Sequence, residues 1–208
     1  MPPFEVSEVA KLAEAAKQEL RRRMRALRVA HPSEALRIRG RALVARALAL
    51  PEFQAARGVA LFFPMEERKE VDLRELDAAA RQQGKRVYYP FLEARGEALV
   101  SGLRLTGSLD ELVERGQRFH EPPPEAAEAA RGDVDVVFVP ALAVAPSGHR
   151  LGYGAGFYDS LLPDLCPPAR AVVVAYDFQL LVELPTLPHD VACDVVLTDA
   201  RSLSARPA

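Results

Sequence analysis

Five short apolar runs constrain this chain more than any other feature: Val59–Phe63, Val87–Tyr89, Val134–Val139, Ala171–Ala175 and Val195–Leu197. They are rich in β-branched and aromatic residues and do not alternate with polar ones. A strand with one wet face alternates. A run that stays apolar at every position is buried on both faces, as in a largely parallel sheet covered by helices. Between the first two runs, Asp72 to Gln83 reads as a helix closed by Gly84, which makes a βαβ unit. The expected class is α/β. At 208 residues the chain suits one domain with a sizeable core, and no repeat or long linker divides it.

The first fifty residues read as two helices that precede this body. Leu12, Ala16, Leu20, Met24 and Leu27 recur at spacings of three and four, an apolar stripe on a background of good helix formers. The turn Ala30-His31-Pro32 stops that helix, and Ser33 is the expected N-cap of a second one ending before Pro51. Gly116–Gly132, with its run of three prolines, reads as loop plus a short helix.

A formal net charge of −2 leaves neither the basic excess of a nucleic-acid binder nor an acidic tail. No apolar run approaches the roughly 18 residues of a membrane span, and charges run through the N-terminal stretch, so no secretory leader is read there. Cys166 and Cys193 form no ligand-spaced set and are expected as free thiols. A cytoplasmic monomer with small-molecule partners, and no nucleic acid or membrane, is the expectation.

The stretch RLGYGAGFYD, Arg150 to Asp159, spaces three glycines two apart. It follows the strongest strand candidate and leads into Phe157–Leu162, which reads as a helix start ended by Pro163. A glycine loop at a helix N-terminus offers unobstructed N–H groups and positive potential, which suits phosphate. Arg150 would add a fork of donors for phosphoryl oxygens, and Asp159 lies where it can hold a divalent cation bridging those oxygens. Neither GxGxxG nor GxxxxGK[ST] occurs, which excludes a dinucleotide fingerprint and a P-loop. Without further evidence a plain connecting turn competes with the phosphate reading.

With VPALAVAPSGH before it, this block resembles the signature of the 5-formyltetrahydrofolate cyclo-ligase family, close to VPGxAFDxxGxRLGxGxGYYD. The matches are Val139, Pro140, Ala143, Gly148, Arg150, Leu151, Gly152, Gly154, Gly156, Tyr158 and Asp159. Three further blocks agree in order. Lys17-Gln18-Glu19-Leu20-Arg21 is similar to K-x-x-L-R, Glu70-Val71-Asp72 to an acidic pattern after the first strand, and His189-Asp190 with Asp194 to HDxxxD.

The resemblance implies a three-layer α/β/α, Rossmann-like domain of the ribose-5-phosphate isomerase and glucosamine-6-phosphate deaminase kind, with residues 1–50 as helices packed on it. It implies conversion of 5-formyltetrahydrofolate to 5,10-methenyltetrahydrofolate with ATP and Mg2+. By similarity, Lys17, Arg21 and the loop Arg150, Leu151, Gly152, Tyr153, Gly154, Ala155, Gly156, Phe157 and Tyr158 bind ATP, with Arg150 and Tyr158 the catalytic pair. Phe63, Glu70 and Tyr153 to Phe157 bind folate, whose amino and ring N–H donors suit a carboxylate. Asp159 and Asp190 hold Mg2+, and His189 orients its neighbour. Tyr88, Tyr89 and Phe119 are candidates for an aromatic slot, with core packing the competing fate.

From spacing alone, a solvated basic face is the preferred reading of Lys17 and Arg21, because Arg22, Arg23, Arg25 and Arg28 crowd the same region, and the family resemblance reverses it. Glu70 competes with a surface charge in EERKE, and Asp190 with a turn aspartate after Pro188. The chain departs from the family at Ala141 for Gly, Val144-Ala145 for Phe-Asp and Phe157 for Tyr. Two alternatives therefore stand beside the cyclo-ligase: a diverged enzyme acting on another N-formyl or amide substrate, and a non-catalytic folate or phosphate-ligand binder.

Overall fold

The computed structural model describes residues 3–96, 98–115 and 119–205, with the side chains of 3–7 and 98 set aside. In chain order the elements are α1 (Pro3–Ala30), α2 (Ser33–Ala49), α3 (Pro51–Ala55), β1 (Gly58–Ala60), α4 (Arg74–Gln82), β2 (Arg86–Arg95) and β3 (Ala98–Leu105). There follow β4 (Val113–Arg115), β5 (Phe119–Glu121), β6 (Val136–Pro140), β7 (Ala143–Val144), β8 (Arg150–Leu151), α5 (Phe157–Leu165), β9 (Arg170–Val174), β10 (Val195–Leu197) and β11 (Ser202–Ser204). Seven strands make one sheet in the order β11-β10-β9-β6-β1-β2-β3. The inner pairs are parallel, and β3 and β11 join antiparallel at the two edges.

Each apolar run supplies both faces of this sheet. Val136 and Phe138 of β6, Val172 and Val174 of β9, and Val195 and Leu197 of β10 pack with Leu43 of α2, Phe53 of α3 and Leu76 of α4. Their alternates Val137, Val139, Val173 and Val196 pack with Leu161, Leu162 and Leu165 of α5. Two cores on opposite faces give three layers, as a run buried at every position demands. Among the described residues, no helix is long and apolar enough to cross a membrane.

Several expectations change in detail. Ser33 is the first residue of α2, and Pro32 occupies the cap position with no side-chain cap bond. Helix α4 starts at Arg74, two residues later than read, and Gly84 follows its end with φ +71°. Within Gly116–Gly132 the described residues form β5, which pairs with β4, then turns without a helix; residues 116–118 lie outside the described set. Helix α5 runs through Pro163 to Leu165, because a proline near the C-terminal end forfeits a single helical bond.

The largest change concerns α1. Its apolar stripe is only partly buried: Met24 and Leu20 pack with Leu142 and Leu151, whereas Leu12 and Leu27 are 71% and 41% exposed. Lys17, Met24 and Arg28 are the buried residues, and with Arg21 they follow a spacing of four, three and four. The helix docks through polar contacts as well as that small apolar cluster, including Lys69 Nζ on the carbonyls of Val29 and His31, each at 2.7 Å.

Candidate active site

The chain runs from β1 through α4 to β2 on one side, then returns to place β6 on the other side of β1. Such a reversal leaves a crevice at the carboxyl ends of the two strands, where open α/β sheets bind ligands. A cavity of about 520 Å³ occupies that place, lined by Phe62 and Phe63 after β1, by Pro140 at the end of β6 and by Pro90 and Leu92 of β2. Its remaining walls come from α1, the glycine loop, the start of α5 and the turn at 189–190.

The loop follows from its glycines. Gly154 has φ +103°, and an added Cβ there would meet the Arg21 guanidinium at 3.5 Å. Gly156, at φ +67°, is the N-cap of α5. Both conformations strain any residue bearing a Cβ. They bring the loop against α1, where Arg21 Nε donates to the Gly152 carbonyl at 3.1 Å. The first N–H groups of α5 lack partners within the helix and open onto this loop.

Two carboxylates line the cavity beside it. Asp159, in the first turn of α5, accepts from Arg150 Nη2 at 2.9 Å and from the Val191 N–H at 3.0 Å, both through Oδ1. Asp190 accepts from Lys17 Nζ at 2.7 and 2.5 Å and from the Leu187 N–H at 2.7 Å. Burial pushes the Asp190 carboxyl up, but Lys17 and the Leu187 N–H outweigh it and hold it below the usual carboxylate range. No group of three His, Cys, Asp or Glu gathers among the described residues. A cation at Asp159 and Asp190 would thus take its other oxygens from a ligand and from water, a set that fits Mg2+ bound with a nucleotide.

The apolar part of the cavity includes Phe63, Phe119 and Phe157, with the last two rings in edge contact at 6.1 Å. Glu70 also lines the cavity, 6% exposed, its Oε2 accepting from the Met65 N–H at 3.0 Å and its Oε1 without a partner among the described residues. Burial raises the Glu70 carboxyl, while the Met65 N–H, the charges of Arg28 and Arg68 and the Tyr153 hydroxyl work the other way. The Tyr158 hydroxyl is raised by burial and by the Glu70 charge, so it remains a neutral donor. A second depression of about 380 Å³, between α2 and α4, shares Glu70 but no other residue assigned to the site from sequence.

Every such residue lines the larger cavity: Lys17, Arg21, Phe63, Glu70, Arg150 to Asp159 and Asp190. Within it, Arg150 directs its donors at Asp159 and at the Val191 carbonyl, 2.5 Å away, rather than standing open. His189 is 73% exposed, with Nε2 at 3.9 Å from Asp190. Phe119 reaches the cavity, whereas Tyr88 is buried in the α5-side core and Tyr89 donates to Asp77 at 3.1 Å. Ala145, where the family has Asp, is buried and does not line the cavity. Met65, Arg68 and Leu92 also line it, and no motif marked them in the sequence.

The sequence pattern of the 5-formyltetrahydrofolate cyclo-ligase family matches residues 13–199. The chain belongs to this family. Among curated cyclo-ligases it is 29% identical to that of Escherichia coli over 88% of this chain and 97% of that one. It is 49% identical to that of Mycolicibacterium smegmatis over 42% of this chain and 45% of that one. The solved 5,10-methenyltetrahydrofolate synthetase of Aquifex aeolicus superposes with a TM-score of 0.77 at 30% identity, covering 92% of this chain and 94% of the other. The cyclo-ligase fold and the cavity at its switch point thus come together in one chain.

Proposed function

We propose that this protein converts 5-formyltetrahydrofolate to 5,10-methenyltetrahydrofolate, with ATP as phosphoryl donor and Mg2+ as the accompanying cation. The observation that carries the reading is the single cavity, in which the nucleotide, cation and folate residues inferred from the family signature all meet. Membership of the cyclo-ligase family supports the same chemistry.

A formamide oxygen is a poor leaving group. In the proposed reaction the N5-formyl oxygen attacks the γ-phosphorus of ATP and ADP departs, leaving the oxygen esterified to phosphate. N10 then attacks the formyl carbon, the C–O bond breaks with its electrons going to phosphate, and the N10 proton is lost. Catalysis here is chiefly positioning and charge neutralisation. Lys17, Arg21 and the N–H groups of the glycine loop would hold the phosphates. Asp159 and Asp190 would hold the cation, which neutralises phosphoryl charge when bound, and Arg150 would keep Asp159 in place. Glu70 would accept from the pterin N–H groups, Phe63 would pack on its ring, and the neutral Tyr158 hydroxyl is available to the transferred group.

The test is the near-ultraviolet absorbance of the methenyl product in a mixture of protein, 5-formyltetrahydrofolate, ATP and Mg2+. We expect a signal that requires ATP and falls at least about a hundredfold in Asp159→Ala. Folded protein that binds ATP yet forms no product would overturn the reading in favour of another N-formyl substrate. Tight folate binding without ATP turnover would overturn it in favour of a binder.

A further inference from the structure

Arg28 is a buried cation with no carboxylate in direct contact among the described residues. It is 2% exposed, whereas Arg22, Arg23 and Arg25 of the same helix are open to solvent. Its Nη2 donates to the Tyr153 hydroxyl, its Nη1 reaches the Ala141 carbonyl at 3.4 Å, and its Nε has no partner. Burying a guanidinium this way is costly unless its charge is answered nearby. The answer lies one side chain further on. Tyr153 and Glu70 line the same cavity, and the buried Glu70 keeps its Oε1 without a partner among the described residues.

Chemistry fixes the polarity of this chain of contacts. A guanidinium has donors only, so the Tyr153 oxygen must accept from Arg28, which leaves the tyrosine proton free to point at the carboxylate. We propose that Arg28 is a positioning residue for the folate substrate: acting through Tyr153, it holds Glu70 as an oriented carboxylate acceptor whose unpartnered oxygen meets the substrate's N–H donors. The inference rests on the reading of Glu70 as a folate ligand. Arg28 itself does not line the cavity and reaches its lining through Tyr153. The electrostatics agree, since the Arg28 charge and the Tyr153 hydroxyl both favour the ionised form of Glu70 against its burial.

The experiment measures equilibrium binding of 5-formyltetrahydrofolate without ATP, together with steady-state KM values for both substrates. The proteins are the unaltered chain, Arg28→Met, Arg28→Lys, Tyr153→Phe and the Arg28→Met/Tyr153→Phe double variant. Arg22→Met, at an exposed position of the same helix, is the control. Arg28→Met should weaken folate binding about tenfold or more while the KM for ATP stays within about twofold. Arg28→Lys, which retains a donor, should recover part of the loss. With Tyr153→Phe already present, adding Arg28→Met should change folate binding less than it does in the unaltered chain.

Equal rises in both KM values, no change in folate binding, or an undiminished Arg28→Met effect in the Tyr153→Phe background would each overturn the proposal. If Arg28→Met does not fold, Arg28→Lys and Tyr153→Phe carry the test, and each must weaken folate binding more than ATP binding. Failure of the unaltered chain to bind 5-formyltetrahydrofolate would count against the functional reading itself. Normal binding with an insensitive Arg28→Met counts against this inference alone.

Discussion

Glu70 and Asp190 are carboxylates lining the same cavity, yet their surroundings push them in opposite directions. Glu70 sits above its unfolded-state value, so as pH rises from about 4.5 the unfolded chain releases a proton that the folded chain retains, and stability falls. Above the folded-state value the whole penalty is present. Glu70→Gln should therefore melt at a higher temperature than the unaltered chain at pH 7, while binding 5-formyltetrahydrofolate about ten- to a hundredfold more weakly. Calorimetry and a binding titration check both halves. Asp190 lies below its unfolded-state value through Lys17, so its contribution is full above about pH 3.8 and is lost as pH falls through the folded-state value. Lys17→Met should raise the KM for ATP at least about tenfold and lower stability at pH 7. The stability difference from the unaltered chain should shrink towards acid pH, which pH-dependent melting curves would show.

Among the elements, α1 stands apart, since the two cores on either face of the sheet contain none of its residues. It carries Lys17, Arg21 and Arg28 to the site and is held by what they bond and by the small cluster of Leu20 and Met24 with Leu142 and Leu151. Hydrogen exchange should accordingly find its amides opening far more readily than those of β6 and β9. A non-hydrolysable ATP analogue at a hundred times its Kd should slow α1 exchange about a hundredfold. Unchanged α1 exchange in the presence of bound nucleotide would contradict the placement of phosphate against this helix. The element scale also shows what sequence can and cannot reveal. The runs of β6, β9 and β10 were legible because two-sided burial leaves no polar position in them. The glycine loop was legible because left-handed backbone at Gly154 and Gly156 and the α5 cap need specific residues. The buried face of α1 was legible only in part, because Met24 and Leu20 of the apolar stripe do pack inward but Lys17 and Arg28 share that face. Edge strands β3 and β11 carried no signal of their own, since Ala98–Leu105 includes Ser101, Gly102 and Arg104 and is completed by pairing with β2. Arg28 was indistinguishable from its solvated neighbours until Tyr153 was seen beside it.

Over the whole molecule, the sheet is a rigid platform and the site is a set of loops and ends mounted on it. A core substitution should then alter stability without altering chemistry. Phe138→Ala, in the central strand, should cost about 3–5 kcal/mol by urea denaturation while folded protein retains its kcat. A large fall in kcat with unchanged stability would show that the platform and the site are not separable in this way. The reversal of strand order at β1 brings Glu70 and the glycine loop to one cavity, which is what the proposed phosphoryl transfer between two bound substrates requires. That transfer is the central claim, and the fate of one oxygen atom tests it most directly. With 5-formyltetrahydrofolate labelled by oxygen-18 in the formyl group, a single turnover with ATP should deliver the label to inorganic phosphate, read by its mass. Label recovered in water, with unlabelled phosphate, would contradict the account.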